Sequence, residues 1–142
     1  MTEKINFSSD APWESVAGYS RAVRIGKTIE VAGTTAVDSH GQIVSPGDAG
    51  AQTKFIFKKI DKILNEAGSK LSDVIRTRLF VTDINDWEEV ALVHGHIFNE
   101  IKPVSTLVEV SRLIDKELLI EIEVSACLLY TSDAADEEDS VD

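Results

Sequence analysis

The chain has 142 residues, of which 43% are hydrophobic and 27% charged, and its formal net charge is −11. These values are typical of one soluble globular domain. No apolar run approaches the length of a membrane span, and the first residues do not resemble a signal peptide, so we expect a cytoplasmic protein with no membrane partner. The negative charge argues against nucleic acid as a partner, because phosphate binding requires a basic surface.

The end of the chain differs from the rest in composition. Residues 131–142 carry six acidic side chains and no basic one, which leaves a net charge of about −5 on the remainder. The segment CLLYTSDAADE, which begins at the single cysteine Cys127, resembles the translated reading frame of a transposon adapter used in sequencing libraries. We therefore predict a domain over residues 1–126 and a non-native, disordered acidic tail over residues 127–142.

The first half of the chain predicts strands and one long helix. Strands are expected at residues 5–8, 19–24 and 28–32, with a loop over residues 9–18 and a hairpin turn at Gly26. Residues 49–67 carry apolar side chains at helical spacing, and Lys59 belongs to the polar side of this predicted helix. A strand follows at residues 74–82, and the intervening helix predicts that it pairs in parallel with the hairpin.

A second helix is predicted over residues 86–101, with Asn85 as its cap and Pro103 ending it. Its inner face carries Val90, Ala91, His94, Ile97 and Phe98. His94 and His96 diverge by about 200° on a helix, so they cannot chelate one metal, and His40 is distant in the chain. We expect no metal and no cofactor, a structural or interface role for His94 rather than a catalytic one, and a packing role for Trp87.

Two further strands are predicted at residues 104–111 and 118–125. Glu109, Glu121 and Glu123 interrupt their apolar patterns, and each carboxylate either faces water or lines a site. Arg76 and Arg78 are expected to pair with Glu121 or Glu123 on neighbouring strands.

The order of elements predicts an α+β domain in which two helices pack on one face of a mixed sheet. The opposite face is partly apolar through Phe80, Leu107 and Leu119. A single chain has no third layer to cover that face, so we expect self-association.

Several segments, taken together and in order, resemble the RidA/YjgF family of imine and enamine deaminases. The matching segments are GYSRAVRIGKTIEVAGTT, VIRTRLFVTDINDW, PVSTLVEVSRL and LLIEIEVSA. The resemblance implies a chorismate-mutase-like fold and a homotrimer with three small-molecule clefts between subunits. It implies that Tyr19 and Glu121 are catalytic residues of the cleft, with Glu121 positioning the hydrolytic water.

This chain departs from the family pattern at the ligand-binding positions. The arginine that holds the substrate carboxylate in deaminating members is replaced by Ser105, two residues after Pro103. The family's serine, asparagine and cysteine correspond to Ala32, Ala91 and Leu107, while Gly33 is retained. The remaining expected ligand contacts are His94 and Thr106.

Three functions follow from this pattern. The chain is a RidA-like hydrolase acting on a different small substrate, or a non-catalytic ligand-binding or regulatory trimer, or a 2-iminoacid deaminase with a relocated arginine. Arg21, Arg24 and Arg112 are the candidates for that relocated cation. A cationic group beside Ser105 favours the third function.

Overall fold

The computed structural model describes residues 3–129, which form a sheet with helices on one face. The strands are β1 (Lys4–Phe7), β2 (Ala22–Ile25), β3 (Thr28–Thr34), β4 (Val74–Val81), β5 (Val104–Glu109) and β6 (Ile120–Cys127). The helices are α1 (Pro12–Ala17), α2 (Ala49–Glu66) and α3 (Trp87–Phe98), with short 3₁₀ turns at Leu71–Asp73 and Ile84–Asp86. The predicted α+β class is confirmed.

The sheet has the order β1-β2-β3-β6-β4-β5, and only β4 and β5 pair in parallel. The predicted parallel pairing of β4 with the hairpin is wrong. Both β3 and β4 run antiparallel to β6, which lies between them. The crossover helix does make β3 and β4 parallel in direction, but the last strand is inserted between them.

The core lies between the sheet and the two long helices. Alternate residues of β6, from Ile120 to Ala126, are at most 1% exposed and pack against the apolar side of α2. Burying such side chains contributes roughly 1.5–3 kcal/mol for each large one. Gly68, at φ 87°, follows the end of α2 as expected.

Several local predictions are corrected. The loop predicted at residues 9–18 contains α1, which begins at Pro12 and is capped at its end by Gly18 in the left-handed conformation. The predicted cap Asn85 does not cap α3, because a 3₁₀ turn precedes that helix and Asp83 accepts the hydrogen bond from the Asn85 backbone. Leu107 faces the helices and not the opposite sheet face, since it lies beside buried Leu79 in the register.

The structure describes only the beginning of the predicted tail. Cys127 ends β6, and the Leu128 backbone nitrogen donates a 2.8 Å hydrogen bond to the Lys27 carbonyl. Strand β6 therefore extends one residue past the predicted domain boundary at residue 126. The prediction for residues 130–142 lies outside the described residues. Within residues 3–129, no helix combines the length and apolar character needed to cross a membrane.

Candidate functional site

A groove lies between α3 and the edge strand β5. It encloses about 410 Å³, within the range of small-molecule sites. We call it the α3–β5 groove, and its lining residues are Leu79, Ile84, Trp87, Val90, Ala91, His94, Gly95, Ser105 and Leu107. Four of the predicted ligand-binding residues, Ala91, His94, Ser105 and Leu107, meet here. Trp87, for which a packing role is predicted, is 51% exposed and lines the groove.

The polar end of this groove is a hydrogen-bonded chain of three side chains. Thr77 on β4 is fully buried, and its Oγ1 lies 2.8 Å from His94 Nε2 and 2.8 Å from Ser105 Oγ. The register of the parallel pair β4–β5 places Thr77 directly beside Ser105. Ser105 is therefore the exposed end of a network that reaches into the core.

His94 is held by aromatic rings on the inner side of α3. Its ring centroid lies 4.6 Å from that of Phe98 and 5.9 Å from that of Phe57. Burial among these side chains lowers the pKa of His94 below its ordinary value, because a charged imidazolium would lose its hydration. These surroundings favour the neutral form of the His94 imidazole.

A second group of predicted site residues lies at the junction of β2, β3 and β6. The carboxylate of Glu121 packs directly over Gly33, so that a Cβ atom at Gly33 would overlap Glu121 Oε2. Arg21 Nη2 donates a 2.7 Å hydrogen bond to the Gly33 carbonyl, and its guanidinium lies 5.7 Å from the centre of the Tyr19 ring. We call these four residues the Glu121 cluster. Ala32 lies beside Tyr19 in the lining of a second cavity of about 650 Å³ on the open face of the sheet.

Burial and two neighbouring charges act on the pKa of Glu121. Burial raises its pKa above the ordinary value, Arg21 opposes this shift, and Glu123 adds to it.

Lys59 is half-buried, unlike its predicted place on a polar face, and its Nζ donates to the carbonyls of Thr35 and Val37 at 2.7 and 2.8 Å. Burial lowers the pKa of Lys59 to about 8, and the nearby Arg21 contributes to the same shift.

The two groups do not meet within one chain. Ser105 lies on the helix-covered face of β5, whereas Glu121 lies on the open face of β6, opposite Phe80 in the register. Strand β4 separates these two strands, and adjacent strands are about 4.8 Å apart. Thr106, the remaining predicted contact, leaves β5 on the open face and does not line the α3–β5 groove.

The candidate replacement arginines differ in their positions. Arg21 lies in the Glu121 cluster, whereas Arg24 donates to the carbonyls of Gly26 and Ala67, and Arg112 lines neither cavity. No arginine or lysine among residues 3–129 lines the groove at Ser105. The predicted ion pair between strands is present as Arg78 Nη1 and Glu123 Oε1 at 3.4 Å, while Arg76 lies opposite Ser125.

The sequence did not predict the hydrogen bonds of Thr77 at the groove, and it placed Lys59 only on the polar side of its helix. The signal for Thr77 was its position as the one polar residue in the alternating apolar set Ile75, Thr77, Leu79 and Val81. No group of three or more metal-ligating side chains is found within the described part of the chain.

Comparisons with known proteins agree with this architecture. A family model described as "Endoribonuclease L-PSP" matches residues 9–128. A RutC family protein of Pyrococcus abyssi is 37% identical over 126 residues, covering 89% of this chain and 98% of its own. The 2-iminobutanoate/2-iminopropanoate deaminase of Rattus norvegicus is 34% identical over 127 residues, covering 89% of this chain and 90% of its own.

A solved structure shows the same fold. The crystal structure of a YjgF-family member from Mycobacterium tuberculosis superposes with a TM-score of 0.81 at 44% identity, covering 89% of this chain and 100% of its own. The family match, the identities and the shared fold together lead to one conclusion: this chain belongs to the RidA/YjgF family.

Proposed function

We propose that the chain forms a homotrimer that hydrolyses a small imine or enamine in clefts between subunits. Each cleft would combine the α3–β5 groove of one copy with the Glu121 cluster of the next. Two features support this arrangement. The predicted site residues fall into two groups on opposite faces of one sheet, and a relative that covers most of the chain is named as a deaminase of 2-imino acids.

The catalytic part of the proposal depends on the surroundings of Glu121. It is a partly buried carboxyl group with a raised pKa, held against Gly33 and near the positive charge of Arg21. A carboxylate in such surroundings is a stronger base than one in water, so it is suited to remove a proton from a water molecule.

The reaction would proceed by addition of water to the carbon–nitrogen double bond. Glu121 takes a proton from water as the oxygen bonds to the imine carbon, and the electrons of the C=N bond move to nitrogen, which then receives that proton from Glu121. The carbinolamine then loses ammonia as its hydroxyl proton returns through Glu121, leaving an aldehyde or ketone. An enamine enters the same route after protonation at carbon gives the iminium ion.

A non-catalytic ligand-binding trimer is the second candidate. It is favoured by the absence of a lysine or arginine in the groove lining among the described residues, since this groove holds no partner for a substrate carboxylate. RNA cleavage, which the name of the family model suggests, receives no support from a chain with a net charge of −11.

The experiment is release of ammonia from imines generated in situ. An amino-acid oxidase acting on leucine supplies a 2-imino acid, and an amine oxidase acting on isopentylamine supplies an imine with the same alkyl group and no carboxylate. We expect the wild-type chain to accelerate hydrolysis of at least one imine. Glu121→Gln should lower that acceleration by at least about 100-fold, the usual range for loss of a general base.

Two controls complete the assay. Glu117→Gln removes an exposed carboxylate in the loop before β6 and should retain the wild-type rate. Ser105→Arg restores the family's cation, so hydrolysis of the 2-imino acid by this variant alone shows which group the wild type lacks. An unchanged rate in Glu121→Gln rejects the role of Glu121, and no acceleration of either imine by any variant favours the binding protein.

A further inference from the structure

The side chains His94, Thr77 and Ser105 form a directed chain of hydrogen bonds that ends in the α3–β5 groove. Thr77 is 0% exposed, so its hydroxyl can bond only to protein groups. When its proton is donated to Ser105 Oγ at 2.8 Å, its oxygen is left to accept at 2.8 Å from His94 Nε2. Because a hydroxyl carries one proton, Thr77 must accept from His94 in this arrangement, which requires the tautomer with hydrogen on Nε2.

This direction determines what Ser105 offers to a ligand. Ser105 Oγ already accepts from Thr77, so its own proton is free to be donated into the groove. Three consecutive donors polarise one another, and each strengthens the next. The complementary ligand group is therefore a hydrogen-bond acceptor.

The surroundings of Ser105 determine the charge of that acceptor. Apart from His94, its neighbours in the groove are apolar or small, and no lysine or arginine among residues 3–129 lines the cavity. At the groove wall the Ile84 backbone nitrogen is already bonded to Glu109 Oε1 at 2.8 Å, which adds a negative charge to this region. A carboxylate transferred into these surroundings would lose its hydration without gaining a cationic partner.

We propose that the α3–β5 groove selects an uncharged small molecule, with a carbonyl, imine or similar acceptor on Ser105 and an apolar part against Trp87 and Leu107. This inference rests on the proposed function for the identity of the site and names the substrate class that the site takes. Thr77 is the positioning residue, since it holds Ser105 in its donor orientation without touching the ligand.

Binding of two matched probes tests this selectivity independently of catalysis. Isovaleramide and isovalerate share one carbon skeleton and differ in charge, and their affinities can be compared by calorimetry at pH 7.5. We expect the amide to bind at least about tenfold more tightly than the carboxylate. Ser105→Ala and Thr77→Val should each weaken amide binding by about three- to tenfold, the net effect of one hydrogen bond.

Further measurements separate this role from a purely structural one. Thr77→Ser keeps the hydroxyl and should restore amide binding that Thr77→Val loses. Nitrogen-15 spectra of the histidines should show His94 protonated at Nε2, and Ser105→Arg should reverse the preference towards isovalerate. Thermal melts of each variant verify that the fold is retained.

Three results would overturn the inference: isovalerate binding as tightly as the amide, no binding of the amide, or amide binding unchanged in both Ser105→Ala and Thr77→Val. These results are distinguishable from failure of the proposed function. If the amide is preferred but no imine is hydrolysed, the chain is a binding protein for neutral ligands. If the 2-imino acid is hydrolysed in preference to the uncharged imine, the chain is an enzyme without the proposed selectivity.

Discussion

The contact between Glu121 and Gly33 makes the position of the proposed base sensitive to one methyl group. A Cβ atom on residue 33 would overlap the carboxylate, and Glu121 would have to move away. We therefore expect Gly33→Ala to lower imine hydrolysis by at least about tenfold, because general-base catalysis depends on placement within hydrogen-bonding reach. Ammonia release measures the rate, and circular dichroism verifies the fold. A variant that folds normally and keeps the wild-type rate would show that this contact does not position the base.

Burial of Glu121 also predicts how stability changes with pH. Its pKa is raised in the folded protein, so the folded state binds a proton more tightly than the unfolded state. The stabilisation is present below pH 4.5 and is lost as the pH rises through the folded-state pKa.

Glu121→Gln removes this dependence. Relative to the wild type, the variant should gain stability between pH 4 and pH 7, as measured by urea denaturation at both values. An identical difference in free energy of unfolding at the two pH values would contradict the raised pKa.

For single residues, the positions of the family motifs predicted the site better than the periodicity of the apolar side chains did. The sequence pattern placed His94, Ser105 and Leu107 in one site, and the structure brings them into one groove. It did not predict which face of β5 carries Leu107, because a strand with apolar residues on both faces does not reveal which face meets the helices. The hydrogen bonds of Thr77 depend on the β4–β5 register, which no local pattern encodes.

Among the elements, helix α2 is connected to two neighbouring loops by the buried side-chain amide of Gln52. Gln52 is 0% exposed, donates from Nε2 to the carbonyls of Val44, Ser45 and Glu117, and accepts from the Leu119 backbone at 2.9 Å. This side chain connects the helix with the loop before α2 and with the loop before β6.

Replacing this amide with leucine should be strongly destabilising. Gln52→Leu leaves several buried backbone groups without partners, which we expect to cost about 2–4 kcal/mol in the free energy of unfolding. Asn65→Leu, at an exposed position of the same helix, is the matched control and should change stability by no more than about 0.5 kcal/mol. Urea denaturation of both variants tests the expectation, and similar costs for the two would refute it.

The elements with strong periodicity were predictable, and their pairing was not. Helix α2 and the alternating strands agree with the sequence to within a few residues. The insertion of β6 between β3 and β4 depends on contacts between distant segments. Helix α1 was missed although Pro12 and Gly18 mark its ends, since its six residues show no helical repeat.

For the whole molecule, the proposal requires a second copy of the chain. The open face of the sheet carries Phe80 together with the charged side chains Glu30, Arg76, Arg78 and Glu123, and it holds the second cavity. Since the groove and the Glu121 cluster occupy different faces, only an assembly can bring them to one substrate. Light scattering should give the mass of a trimer.

Complementation between two inactive variants tests this central claim most directly. Ser105→Trp fills the groove of one half-site, and Glu121→Gln removes the base of the other. The two proteins are unfolded, mixed in equal amounts and refolded together. In random trimers, about a quarter of the clefts would then combine an unmutated groove from one copy with an unmutated Glu121 from the next. We predict recovery of about a quarter of the wild-type imine hydrolysis, whereas a mixture no more active than the separate variants would contradict a site shared between subunits.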